Sequence, residues 1–199
     1  MFEKHFKYML ILGFPIGVGM TLLADKIVLL IFGVEYIPSV IVLQILSWTI
    51  VLIFARTAFE RVLESANRQL IVTEVFGCCA LLNVILNIIL IPKYSYIGAA
   101  VATLTTDFAV FAFIFVWCLK IGYHIPNKQL VEVISKVIAA SLLMGLFIEY
   151  FREQNIFIVV FAAIIIYFGL ILLIKGLDKE DIKLLKILFP EKEGDASDL

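Results

Sequence analysis

Two stretches of this chain, Tyr36–Ala55 and Asn155–Ile174, run for twenty residues each without a charged side chain. A helix needs about 20 apolar residues to cross the hydrocarbon core of a bilayer. In lipid, every backbone polar group must be satisfied within the protein, so only helices and closed barrels span. Neither run alternates with period 2, and both are too long for a barrel strand. The expected fold is all-α: a polytopic transmembrane helical bundle.

Composition closes off the other classes. Hydrophobic residues make up 63% of the 199 positions and charged residues only 17%, against about 25% charged in an ordinary soluble domain. So much apolar surface cannot be buried inside a water-facing globule of this size. A soluble enzyme, a disordered tail and a nucleic-acid binder are excluded. The net charge of −1 gives no field for a polyanion. Cys78, Cys79 and Cys118 all fall within apolar runs. They read as small packing residues, not as a disulfide framework or a zinc site.

Six spans are expected, at about 8–32, 36–58, 70–91, 97–119, 130–149 and 155–174. The first could stop at Ala24 or continue through Ile27–Phe32. It is long, holds Gly13, Pro15, Gly17 and Gly19, and lacks a small-residue cleavage site, so it reads as retained and not as a signal peptide. The fifth is the weakest, because Glu132 and Lys136 stand in its first turns.

Basic residues divide unevenly between the flanks of these spans. One side holds 13: Lys4 and Lys7, Arg56, Arg61 and Arg68, Lys120, Lys128 and Lys136, and five lysines after Ile174. The other holds 3: Lys26, Lys93 and Arg152. The positive-inside rule then puts both termini in the cytoplasm of a multi-pass cell-membrane protein. Past Ile174, Leu177, Ile182, Leu185 and Leu188 recur among lysines. Residues 175–190 are expected as an interfacial amphipathic helix on the cytoplasmic leaflet. Pro190 ends it, and residues 191–199 are expected as a disordered acidic tail.

The polar residues inside the spans are the candidate site. Asp107 is the costliest, at about 2.5–3.5 kcal/mol near the bilayer centre. It must face the bundle interior or water and needs a partner. At 1.5 Å per residue, Asp107 and Asn83 lie at similar depth in two spans joined by a tight hairpin, so Asn83 is expected to face Asp107. Asn87 shares the Asn83 face at i,i+4. Two readings stand: an interhelical hydrogen bond holding the hairpin, or a polar element on a transport path. Arg56 ends the uncharged run of the second span. It reads as a head-group anchor or as a fork for a lipid phosphate or diphosphate. Beyond it, Glu60 is expected to pair with Arg61, and Glu64 with Arg68, along a continuing helix. Pro15 removes a backbone hydrogen bond inside the first span and so predicts a kink. Gly13 and Gly17 form a small-xxx-small pair there. Packing alone and a hinge both fit Pro15.

No His-Glu-x-x-His, no Gly-rich phosphate loop and no pair of intramembrane carboxylates is present. No catalytic, metal or cofactor site is expected, and the chain reads as a non-enzyme. Membrane lipids are its expected surroundings.

Three segments carry a family resemblance. LLADKIVLLIFGVEYIPSVIVLQIL at 22–46 looks like the apolar helix, Phe-Gly turn and following Tyr of the polysaccharide flippases. LLNVILNIILIPKYSYIGAAVATLTTD at 81–107 is the stronger match, through Asn83-x3-Asn87, Leu90-Ile91-Pro92 and the Ile97-Gly98-Ala99-Ala100 run. LESANRQ at 63–69 is similar to a cytoplasmic turn of that family. The resemblance covers about residues 7–123 and points to the MATE-like (multidrug/oligosaccharidyl-lipid/polysaccharide) superfamily. It implies transport of a polyprenyl-linked oligosaccharide by a transporter with twelve or fourteen helices in two lobes. The six spans here resemble the last six of a fourteen-helix member. The missing N-terminal part or a second membrane chain is then an expected partner. A truncated or split reading frame is the favoured expectation, with a half-transporter as the other. A drug/cation antiporter of the same superfamily and a non-transporting membrane assembly subunit are the alternatives.

Overall fold

The computed structural model describes residues 2–123 and 127–174. Helix α1 (Phe2–Leu22) is followed by α2 (Ala24–Ile31), a short 3-10 helix (Val34–Ser39), α3 (Val40–Ser65), α4 (Gln69–Lys120), α5 (Asn127–Tyr150) and α6 (Ile156–Leu173). Among the described residues there is no strand. Five helices are long and apolar enough to cross a membrane. The 52-residue α4 is two such lengths, because Ser95 breaks it with φ 51° and ψ −132°. Its arms, 69–94 and 96–120, fold back on one another. This is a multi-pass helical membrane protein.

The expected boundaries shift in three places. The first span does not run unbroken to residue 32. It breaks at Leu23, whose ψ of 9° is non-helical, and the short α2 follows. The second span begins as a 3-10 helix containing Pro38. The third does not stop at Pro92. A proline deletes one helical hydrogen bond, which membrane helices tolerate, so the helix continues to Ser95. There the chain turns, and Gly98 lets the arms meet: a Cβ on it would lie 2.5 Å from the Leu90 carbonyl oxygen. The interfacial helix expected at 175–190 and the tail at 191–199 lie outside the described residues.

The helices pack in an order different from that of the chain. α1 lies centrally, against α3 on one side and α5 on the other; α4 packs on α3, and α6 on α5. At the α1–α3 contact, a Cβ on Gly17 would stand 2.6 Å from Val51 Cγ2, so the glycine is what permits the approach. Phe59, Leu63, Ile114, Ile148 and Ile171 are fully buried in the shared core. Leu81, Ile88, Phe108, Leu146, Phe161 and Leu173 face outward, a surface that lipid rather than water solvates. In α5, the two charges that weakened the span pair with each other, Lys136 Nζ to Glu132 at 2.6 Å.

The two ends of the bundle differ. One gathers Phe2, Phe6, Phe59, Phe115 and Tyr123, with ring centroids 5.1–5.4 Å apart for Phe2–Phe59, Phe2–Tyr123, Phe6–Phe59 and Phe59–Phe115. The other is polar. Arg152, between α5 and α6, reaches Asp25 at 2.8 Å and Glu149 at 3.3 Å. Lys26 donates to the Arg152 carbonyl and, at 3.1 Å, to that of Gln154. Partial burial is the largest single influence on the Asp25 carboxyl and works to raise its pKa, but the hydrogen bond and charge of Arg152 together with backbone N–H donors at Asp25 and Lys26 outweigh it and hold the carboxyl below its ordinary value. Lys26 and Arg152, sorted to one flank by sequence, meet here.

Candidate functional site

Arg56 sits on α3, where the uncharged run gives way to polar residues. Its Nε lies 3.2 Å from Glu60 one turn on. Its Nη1 reaches across to α4 and bonds Asp107 Oδ1, also at 3.2 Å. The guanidinium lies over the Phe76 ring of the first α4 arm, 4.8 Å from the centroid. One cation is therefore held by two carboxylates and an aromatic face from three segments. The Arg56 side chain is 14% exposed and that of Asp107 18%. Asp107 comes twelve residues after Ser95, about 18 Å along the helix, so the cluster stands at membrane depth.

Next to it, the α4 hairpin carries a polar ladder. Asn83 Nδ2 donates to Thr106 Oγ1 at 3.1 Å. Asn87 Nδ2 donates to Asn83 Oδ1 at 2.8 Å and to the Asn83 carbonyl at 2.9 Å. Thr106 completes its bonding by donating to the Ala102 carbonyl at 2.8 Å.

The expected partner of Asn83 was Asp107; the structure gives it Thr106 instead. The depth agrees and the face does not. Adjacent residues project about 100° apart on a helix. The second arm touches both the first arm and α3, so Thr106 meets Asn83 while Asp107 turns to Arg56. The charge pairs beyond Arg56 also differ. Glu60 pairs with Arg56, not Arg61, because neighbours at i,i+1 do not face each other. Glu64 pairs with Arg61 at 2.9 Å, and α3 ends before Arg68, with Asn67 at φ 55°.

Of the residues singled out in the sequence, Arg56 and Asp107 come together, and Asn83 and Asn87 lie beside them. Pro15 is apart, in α1, near α5 and α6 (see below). Sequence reasoning missed Thr106, Glu60 and Phe76 as members. Glu60 carried a usable signal, being one helical turn from Arg56. Thr106 and Phe76 carried none, since threonine and phenylalanine are ordinary in apolar spans.

Chemically, the cluster can hold and exchange an ion pair. A guanidinium matches carboxylate and phosphate alike, so an anion at Arg56 competes with Asp107 and Glu60. Among the described residues, no group of three His, Cys, Asp or Glu is arranged to hold a metal ion.

Comparison with known proteins gives two relatives. An uncharacterized membrane protein of Methanocaldococcus jannaschii is 28% identical over 178 residues, 86% of this chain and 34% of that protein. The Haloferax volcanii protein named "Probable low-salt glycan biosynthesis flippase Agl15" is 33% identical over 101 residues, 51% of this chain and 21% of that protein. The chain thus spans about a third of the first relative and a fifth of the second. No family model matches it, and no solved structure does.

Proposed function

We propose that this chain forms part of a flippase of the MATE-like kind, which carries a lipid-linked oligosaccharide or polysaccharide precursor across the cell membrane. Both termini lie in the cytoplasm in this reading, following the distribution of basic residues, which is 12 to 3 once Arg56, placed at membrane depth, is set aside. The rest of the transporter, or a second membrane chain, supplies the opposite wall of the path, and the two parts rock against each other. The chain does no bond chemistry on the cargo.

The observation that carries the reading is the Arg56–Asp107 pair at membrane depth. Intramembrane charges are expensive and mark ion or substrate pathways. A phosphate-linked cargo offers what Arg56 already binds, oxyanion pairs. The glycan flippase relative, though it matches only half of this chain, supports the cargo class.

The test is flipping of a fluorescent lipid-linked oligosaccharide in proteoliposomes holding the complete transporter. Asp107→Asn and Arg56→Gln are expected to reach the membrane folded and to lose flipping by about tenfold or more, a barrier change of at least about 1.4 kcal/mol. Folded variants that flip at the wild-type rate would remove the site from the path. Proton-coupled efflux of cationic drugs in place of lipid flipping would favour the antiporter instead.

A further inference from the structure

Pro15 has no N–H, so the carbonyl four residues back, that of Ile11, loses its helical donor. In lipid that oxygen must find another. It accepts a hydrogen bond from the Tyr167 hydroxyl of α6 at 2.8 Å, across 156 positions of sequence. Tyr167 is 1% exposed, so bulk solvent does not reach it. Ser141 of α5 is also 1% exposed, and its Oγ makes no well-formed hydrogen bond.

The surroundings leave α1 room. A cavity of about 400 Å³ runs along it, lined by Pro15, Gly19, Met144 and Tyr167 and open to the outer face of the bundle at Ile16 and Ile164. A Cβ on Gly19 would meet nothing within 4 Å. On the opposite side, Gly17 is pressed against Val51. The part of α1 beyond Pro15 therefore has a packed face toward α3 and an open one toward α6.

We propose that Tyr167 is a positioning residue for α1: its hydroxyl latches a hinge at Pro15, and release of that hydrogen bond from the Ile11 carbonyl frees the outer half of α1 to swing into the cavity. The latch uses no residue of the Arg56–Asp107 cluster and does not depend on the cargo. It gives Pro15 a partner that neither sequence spacing nor the proline itself discloses.

A double-mutant cycle tests it. In the Pro15→Ala background, the alanine N–H bonds the Ile11 carbonyl, and Tyr167 becomes redundant. Equilibrium unfolding of the full protein in mixed detergent and dodecyl sulfate micelles is expected to show Tyr167→Phe weakening the folded state by about threefold to twentyfold when residue 15 is proline, the range of interhelical hydrogen bonds in membranes. The loss is expected to vanish when residue 15 is alanine. Equal losses in both backgrounds would mean that Tyr167 only packs, and the latch would be wrong. Hydrogen exchange decides independently of whether Pro15→Ala folds. Tyr167→Phe is expected to speed exchange in residues 16–22 and leave α3 unchanged. Uniform acceleration across the bundle, or none in 16–22, overturns the proposal.

Discussion

At the residue scale, the Arg56 cluster is asymmetric, and that asymmetry sets which variant costs more. Arg56 serves two carboxylates, whereas Asp107 serves one guanidinium. Removing Asp107 leaves Arg56 paired with Glu60 and stacked on Phe76. Removing Arg56 strands two negative charges. Breaking a buried pair hurts mainly through the charge left alone, and an unneutralised charge at mid-bilayer costs about 2.5–3.5 kcal/mol. Arg56→Met is therefore expected to destabilise the protein by about that amount, and Asp107→Asn by clearly less, in the same micellar unfolding titration. Equal losses would mean that Glu60 is not a working partner. The charged members of this cluster were legible in the sequence, because a carboxylate inside an apolar run must have a partner. Which partner was not legible. Depth follows from counting residues, but azimuth depends on how the hairpin leans against α3, and a change from Thr106 to Asp107 is a third of a turn.

At the element scale, the α4 hairpin turns on one backbone conformation. Ser95 sits at φ 51°, ψ −132°, close to the first central position of a type II′ turn, which glycine prefers. A side chain there is strained, by about 1–2 kcal/mol. Ser95→Gly is expected to raise stability by about 1 kcal/mol, read as a shift in the unfolding midpoint. A loss would mean that the Ser95 side chain contributes more than its backbone costs. The sequence announced a turn between the spans at 70–91 and 97–119, and Ser95 falls within it, but Pro92 is not the residue that turns the chain. Proline is the louder signal, but it blocks a single bond, whereas reversing a chain needs a residue that leaves the right-handed region. The break at Leu23 was one of two readings, a stop at Ala24 or a continuation to Phe32, and no glycine or proline marked which of them holds.

At the scale of the whole molecule, hydropathy and charge together were sufficient for the fold class. Twenty uncharged residues allow few solutions in lipid, and the basic residues give an expected sorting of the ends. The order of packing was not legible, since apolar faces match one another with little discrimination; α1 could have been drawn at an edge as easily as at the centre. The sorting of ends has a direct check. Single cysteines at Lys93 and Glu153 are expected to react with an impermeant maleimide from one side of the membrane, and cysteines at Arg61 and Lys120 from the other. Labelling of all four from the same side would break the six-arm topology. The distance in sequence between Tyr167 and Ile11 also bears on how the protein is made. A ribosome delivers Ile11 long before Tyr167, so α1 enters the bilayer with an oxygen whose donor is still untranslated. Biogenesis of this bundle thus implies a finishing step: the Ile11 carbonyl gains its donor only once α6 stands beside α1.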